Sequence, residues 1–197
     1  MKRIFCLICA AVLLLPCLAL GESAEEIETI VTIVPAPEQT KAERPPCFPD
    51  PADNFIPLPE TENYALNKPV KAGAHTDVYV EKNVNDWKTD TYWESKGFPA
   101  EIVFDLQGTF SVSTVAVCLN PSSIWEPRIQ EIAVQVSQDG ETFTEVASAE
   151  KYQFDAATGN RIRIDFDQVQ AAFVKVIFTL NTSSRTGGAQ AAEICVF

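Results

Sequence analysis

The sequence predicts an all-β fold of antiparallel strands packed as a sandwich or barrel, and three observations carry that prediction. The first is alternation. From Asn63 onward, Ile102, Phe104 and Leu106 share a face. So do Val115, Val117 and Leu119; Ile132, Val134 and Val136; Ile162, Ile164 and Phe166; Val174, Val176 and Phe178; and Ala192, Ile194 and Val196. Successive residues of a strand point to opposite faces, so runs with period two are half-buried strands. The second is the lack of any useful apolar stripe at helical spacing. The third is punctuation: the runs are separated by Gly, Asn, Asp and Ser, and Asp139-Gly140 between two of them is a tight-hairpin signal. Seven or eight short strands at this spacing read as a sandwich or barrel.

The elements before the domain differ in character. Met1-Lys2-Arg3 is basic, Ile4 to Leu20 is almost wholly apolar, and Ala19-Leu20-Gly21 supplies small residues where a leader would be cut. Residues 1–21 therefore read as a secretory signal peptide, and the expected location is secreted, extracellular or cell-surface. Cys17 follows Pro16 rather than a small residue, which argues against a lipoprotein anchor. Residues 22–61 hold eight of the 13 prolines and a net charge of -7. Such a segment reads as an acidic, Pro-rich, largely disordered linker. Ile27 to Val34 is its one β-prone run, either an edge strand or disordered; disorder is the favoured reading. The domain is then 62–197.

Charge and cysteines narrow the function. The formal net charge is -12, of which the domain contributes -7. With no basic stripe, nucleic acid and anionic membranes are not expected partners, and a monomer is the expected form. Cys6, Cys9 and Cys17 leave with the leader, so Cys47, Cys118 and Cys195 remain, without a Cys-x-x-Cys pair. That count suits one disulfide and one thiol in an oxidising compartment. The alternation points Cys118 and Cys195 away from the core, so a cross-strand bridge is available if their strands are neighbours. No Gly-x-Ser-x-Gly, His-Glu-x-x-His or other nucleophile–base set is present, and no pair of carboxylates stands out. The chain is not expected to be an enzyme.

The loop from Asn83 to Ser95 has neither periodicity and is dense in oxygen-bearing side chains: Asn85, Asp86, Thr89, Asp90 and Thr91, closed by Tyr92 and Trp93. Clustered carboxylate, hydroxyl and carbonyl oxygens suit a hard cation. An ordinary polar loop held to the core by Trp93 is the plain alternative.

Six segments in order carry a resemblance. Asn63-Tyr64-Ala65-Leu66-Asn67-Lys68-Pro69-Val70 is similar to the N-x-A-x-x-K-P-V opening of discoidin domains, also called coagulation factor 5/8 type C domains. Asp86, Thr91 and Trp93 match their D-G-x-x-x-T-x-W loop. Ile102 to Gly108, Val136 to Phe143, Phe173 to Val176 and Ala192 to Phe197 match the four strand motifs that follow. Among secreted bacterial members, the family 32 carbohydrate-binding modules look most alike. The resemblance implies a jelly-roll β-sandwich of the galactose-binding-domain type, with a structural calcium and a shallow glycan site on the loops at one end. Its calcium ligands would be the side chains of Asp86 and Thr91, carbonyls near Asn83 and Lys88, and Glu193 with the carbonyl of Ala192. Two departures stand out: Trp87 occupies the usual Gly position, which demands φ > 0 or avoidance of it, and Lys88 replaces the usual Asp or Asn. Some members join their two domain ends, which would pair Cys47 with Cys195.

A sugar needs an aromatic face for its C–H groups and planar polar side chains for its hydroxyls. Two loops have that chemistry. Asn120 to Gln130 contributes Asn120, Trp125 and Arg128, and Gly73 to Tyr79 contributes the lone His75. Tyr92 and Glu94 would add a wall. The plain readings are that Trp125 caps the core, Arg128 pairs with Glu126 or Glu131, and His75 is structural. The Asn181-Thr182-Ser183 sequon would be a glycosylation acceptor only in a eukaryote, and Thr182 to Gly188 reads more simply as a flexible loop. The expected function is a non-catalytic glycan-binding module, with an adhesion or protein-binding discoidin domain as the alternative.

Overall fold

The computed structural model describes residues 55–197. The leader, the run Ile27 to Val34, Cys47 and most of the linker lie outside the described residues. Eight strands follow in order: β1 Val70–Ala72, β2 Trp93–Glu94, β3 Ala100–Cys118, β4 Arg128–Ser137, β5 Thr144–Phe154, β6 Arg161–Asn181, β7 Gln190–Ala191 and β8 Glu193–Val196. Helical content among the described residues is two short 3-10 turns, Glu81–Val84 and Ala156–Thr158.

The long strands β3 and β6 are the spine. They pair antiparallel along their lengths, with register shifts between Asp105 and Phe110 and between Val112 and Thr114. The first shift falls at Gln107-Gly108, where Gln107 takes φ 57° and its N–H is met by Asp105 Oδ1. The two halves of β3 have different outer neighbours: β1 lies on 102–104 and β8 on 115–118. Strand β4 joins the C-terminal half of β6, and β5 joins β4. Ile102 and Phe104 from one half of the spine meet Val115, Val117, Ile162 and Ile164 from the other in a single core. The ladder is therefore folded over on itself into the two layers of an antiparallel β-sandwich. The six alternating sets predicted from the sequence face this core, with Phe166 at its margin and Ala192 buried outside it. The 138–143 connection between β4 and β5 is a longer hairpin loop than the tight turn expected; Asp139 Oδ1 holds it by accepting from the N–H groups of Glu141 and Thr142.

A second, smaller cluster lies on the outward side of β3 and β8. Ala116, Cys118, Cys195 and Phe197 are covered by Leu58 and Trp87, with Leu66 alongside. Residues 55–61, read as linker, thus lie against the domain: Leu58 is buried, and Ile56 N–H donates to Thr158 O at 3.3 Å. Cys118 and Cys195 are not joined to each other. The register explains this: Cys195 lies opposite Ala116 and Cys118 opposite Glu193, so the thiols are diagonal. Diagonal neighbours are some 7–8 Å apart, beyond ordinary disulfide reach. Burial pushes the Cys118 thiol up to about 12.

The opening and closing segments clasp each other. Tyr64 N–H donates to Val196 O at 2.8 Å, and Asn63 Oδ1 accepts from Val196 N–H at 2.9 Å and from Ala65 N–H at 3.1 Å. Asn85 Nδ2 then reaches the carbonyls of Ala65 and Lys68. The opening segment therefore fixes the start of the 85–95 loop against β8.

Candidate functional site

The 85–95 loop has two ends with different chemistry. At its start, Trp87 holds φ 62°. A bulky residue in this left-handed region costs on the order of 1–2 kcal/mol. Its indole is 8% exposed in the second cluster, and burying an aromatic side chain contributes about 1.5–3 kcal/mol. The loop therefore keeps the backbone turn that Gly would allow, and apolar contact offsets the strain.

That turn aims Lys88 N–H at two carboxylates. It donates to Glu193 Oε1 at 2.9 Å and to Asp86 Oδ1 at 3.0 Å. Thr91 Oγ1 donates to the Asp86 carboxylate at 3.1–3.2 Å. Glu193 is fully buried, and its Oε2 has no partner among the described residues. Burial, with Asp86 beside it, pushes the Glu193 carboxyl up to about 9. Two adjoining carboxylates, one of them buried, need a proton or a cation between them. Of the predicted ligands, Asp86, Lys88, Thr91 and Glu193 are brought together. Asn83 braces the loop from its 3-10 turn, its Nδ2 donating to Tyr92 O at 2.9 Å. Ala192 precedes β8 and donates its N–H to Cys118 O. Among the described residues no group of three or more His, Cys, Asp or Glu converges. A cation here would draw on two carboxylates and neutral oxygens, a donor set that fits calcium and not zinc.

At the other end of the loop Trp93 is fully buried against Phe178, and its neighbours turn outward. Tyr92, Glu94, Ile124, Trp125, Arg128, Arg185 and Gln190 line a cavity of about 270 Å³. Strand pairing places Glu94 opposite Gln190. Gly188 makes this possible: a Cβ there would stand 1.9 Å from Ser95 O, so only glycine lets the 182–189 loop meet β2. Tyr92 stacks on Tyr79 at 4.2 Å and meets Trp125 edge-on at 4.9 Å. The Arg128 guanidinium lies 5.1 Å from the centre of the Trp125 ring.

The polar groups form a chain. Gln190 Nε2 donates to Glu94 Oε2 at 2.7 Å, and Arg128 Nη1 donates to Gln190 Oε1. Arg128 Nε donates to Glu126 O at 3.0 Å. Gln130, fully buried, holds the Gln190 backbone through both ends of its amide. Glu126 accepts from Ser183 Oγ and from Ser184 N–H, each at 2.9 Å; these bonds hold its carboxyl below the usual carboxylate range. The 182–188 loop is thereby anchored and carries Arg185 to the cavity rim. Burial lowers the Arg128 pKa, with Arg185 adding to the shift against Glu126 and Glu94.

Four residues proposed from sequence, Tyr92, Glu94, Trp125 and Arg128, thus line one cavity. His75 does not line it: it bridges to Ser95, and its Nδ1 is buried without a partner among the described residues. Asn120 does not line it either; its Oδ1 accepts from Ser122 N–H and its carbonyl from Asn160 Nδ2. Arg128 pairs with the Glu126 carbonyl and Gln190 rather than with a carboxylate. Sequence reasoning missed Arg185 and Gln190. Arg185 sits in a stretch with only turn-forming neighbours, and Gln190 is a lone polar residue among alanines.

Residues 83–176 match the family model described as a NedA-like galactose-binding domain of the F5/F8 type C kind. No curated protein matches the sequence. Solved structures match over most of the chain. A family 32 carbohydrate-binding module of AlyQ, in complex with 4,5-unsaturated mannuronic acid, is 23% identical with a TM-score of 0.54, covering 67% of this chain and 96% of that one. A chitosan-binding module from a chitosanase/glucanase of Paenibacillus sp. IK-5 is 24% identical with a TM-score of 0.54, covering 69% and 98%. A family 89 glycoside hydrolase from Clostridium perfringens matches at 24% identity and a TM-score of 0.58, covering 68% of this chain but 14% of that one. The middle of the chain is thus similar to an F5/F8 type C-like galactose-binding domain, and its fold is the one seen in the family 32 carbohydrate-binding modules among these structures.

Proposed function

We propose that the protein is a secreted, non-catalytic carbohydrate-binding module, and that its ligand sits in the cavity bounded by Tyr92, Glu94, Trp125, Arg128 and Gln190. The observation that carries this is the convergence of two aromatic side chains with a carboxylate, a guanidinium and a carboxamide around one concave site. An aromatic edge or face meets sugar C–H groups, and fixed planar polar groups meet its hydroxyls. The carbohydrate-binding modules among the matched structures support the reading.

A calcium ion held by Asp86, Thr91 and Glu193, with carbonyls of the loop around Asn83 and Lys88 and of Ala192, is the second part of the proposal. The unmet Glu193 Oε2 supports it. Its role would be structural: it would neutralise the adjoining carboxylates and tie the 85–91 loop to β8. The leader of residues 1–21 supports export. A glycan array, run with calcium on the wild type and on Trp125→Ala, tests the binding reading. Signal on a defined glycan class that the variant loses is the expected result; no signal on any glycan sinks it.

A further inference from the structure

The charges around the cavity differ from those of the domain that carries it. The domain has a net charge of -7, yet the cavity is lined by Arg128 and Arg185 against the single carboxylate of Glu94. The carboxylates nearby are largely occupied. Glu94 Oε2 accepts from Gln190 Nε2 at 2.7 Å. Glu126 faces the loop, accepting from Ser183 and Ser184.

The guanidiniums are not saturated in this way. Arg128 uses Nε on a carbonyl and Nη1 on a neutral amide oxygen, and among the described residues it meets no carboxylate within ion-pair reach. A 4% exposed cation that feels Glu126 and Glu94 only at a distance, with no direct ion pair among the described residues, leaves room for a carboxylate from a ligand. Arg185 is exposed, and its one ion pair among the described residues, with Glu126 Oε2, is long at 3.9 Å. Exposed pairs of that kind contribute about 0–1 kcal/mol, so a better acceptor displaces it readily.

Resting on the glycan reading above, we propose that this cavity selects an acidic saccharide, a uronate whose carboxylate pairs with Arg128 and Arg185 while its ring meets Trp125 and Tyr92. A planar carboxylate matches the guanidinium fork in a way that neutral hydroxyls do not. The concave, cationic site on an acidic domain also concentrates potential where the anion must enter. Glu94 and Gln190, held in place by β2 and β7, remain for the neighbouring hydroxyls. A sulfate ester shares the negative charge but is tetrahedral, which makes it the natural competitor in a test.

The full chain is titrated calorimetrically with a galacturonate trisaccharide, with the same trisaccharide after carboxyl reduction, and with a sulfated galactose trisaccharide. The uronate is expected to bind about tenfold or more tighter than the reduced form, as one charge-assisted pair implies. Its affinity is expected to fall with added salt. Arg185→Gln, on an exposed loop, is expected to keep the wild-type melting temperature and to cut the uronate-to-neutral preference several-fold. Equal affinity for uronate and reduced sugar, tighter binding of the sulfated sugar, or an unchanged preference in Arg185→Gln would each overturn the proposal while leaving glycan binding intact. No binding of any of the three, together with a blank glycan array, removes the glycan reading and this proposal with it.

Discussion

The clamp at residues 86–91 and the cavity beyond Tyr92 share one loop and treat polar atoms in opposite ways. At the clamp, Glu193 is fully buried with one oxygen unmet and Asp86 at its side. At the cavity, Glu94, Gln190, Arg128 and Gln130 are linked donor to acceptor. An unmet buried carboxylate is a cost to the folded state until a cation or proton arrives. A linked network is already stable and holds its groups in position. The contrast assigns different effects to the two partners proposed above: one at the clamp would act on whether the domain stays folded, and one in the cavity would act on little except occupancy.

The largest expected effect is on the clamp. Trp87→Ala removes the indole that covers Cys118, Cys195 and Phe197 and is expected to cost about 3–5 kcal/mol. Urea unfolding measures it, and a loss below about 1 kcal/mol would show that burial does not hold the strained turn. Next comes calcium. At a hundredfold over its Kd a bound ion adds about 2.7 kcal/mol, a rise of several degrees in melting temperature for a domain of this size. Glu193→Gln, which keeps shape and removes charge, is expected to abolish that rise. A wild-type midpoint that ignores chelator would erase the contrast between the two regions.

Effects at the cavity should be on binding first. Trp125→Ala is expected to weaken glycan retention in an affinity gel about tenfold or more with little change in melting temperature. Arg128→Ala differs from what a loop position suggests. Because Arg128 is buried and holds Gln190 and the Glu126 carbonyl, its loss should weaken binding and also destabilise by about 1–3 kcal/mol. Melting curves of the two variants, compared directly, decide whether the cavity is as internally braced as its bonds imply.

The smallest effect lies outside both regions. Backbone N–H groups of Thr142 and Glu141, then Ser137, hold the Asp139 carboxyl down to about 2. A depressed acid contributes stability that is present above the ordinary carboxylate pKa and is lost as pH falls through about 2. Asp139→Ala should therefore flatten the acid limb of the stability curve between about pH 4 and 2. An unaltered limb would show that the loop does not depend on this carboxylate.

The faces of the strands were legible because alternation records burial on one side directly. Ile102, Phe104, Val174 and Val176 show it plainly. The second cluster was not legible for the same reason. Ala116, Cys118 and Cys195 occupy positions that alternation assigns to solvent, and their cover comes from Leu58 and Trp87, far away in sequence. That Asp86, Thr91 and Glu193 would meet could be expected from the resemblance, since they sit within its motifs. Half of the cavity could be named from aromatic and charged residues placed off the strand pattern. Arg185 and Gln190 could not. Their roles come from the pairing of β2 with β7 and from Ser183 and Ser184 meeting Glu126, contacts that span more than fifty residues.

The clasp between Asn63 and Val196 has a mechanical consequence. Residues 55–61 lead into the domain beside β8, and β8 is separated from the cavity residue Gln190 by only two residues. Tension between that segment and a captured saccharide would pass through Asn63, β8 and β7, largely bypassing the spine of β3 and β6. Glu193 lies in the middle of that route. The calcium ion proposed there would act as a rivet on the edge that carries the pull, so the grip under shear flow would depend on calcium more steeply than the grip at rest.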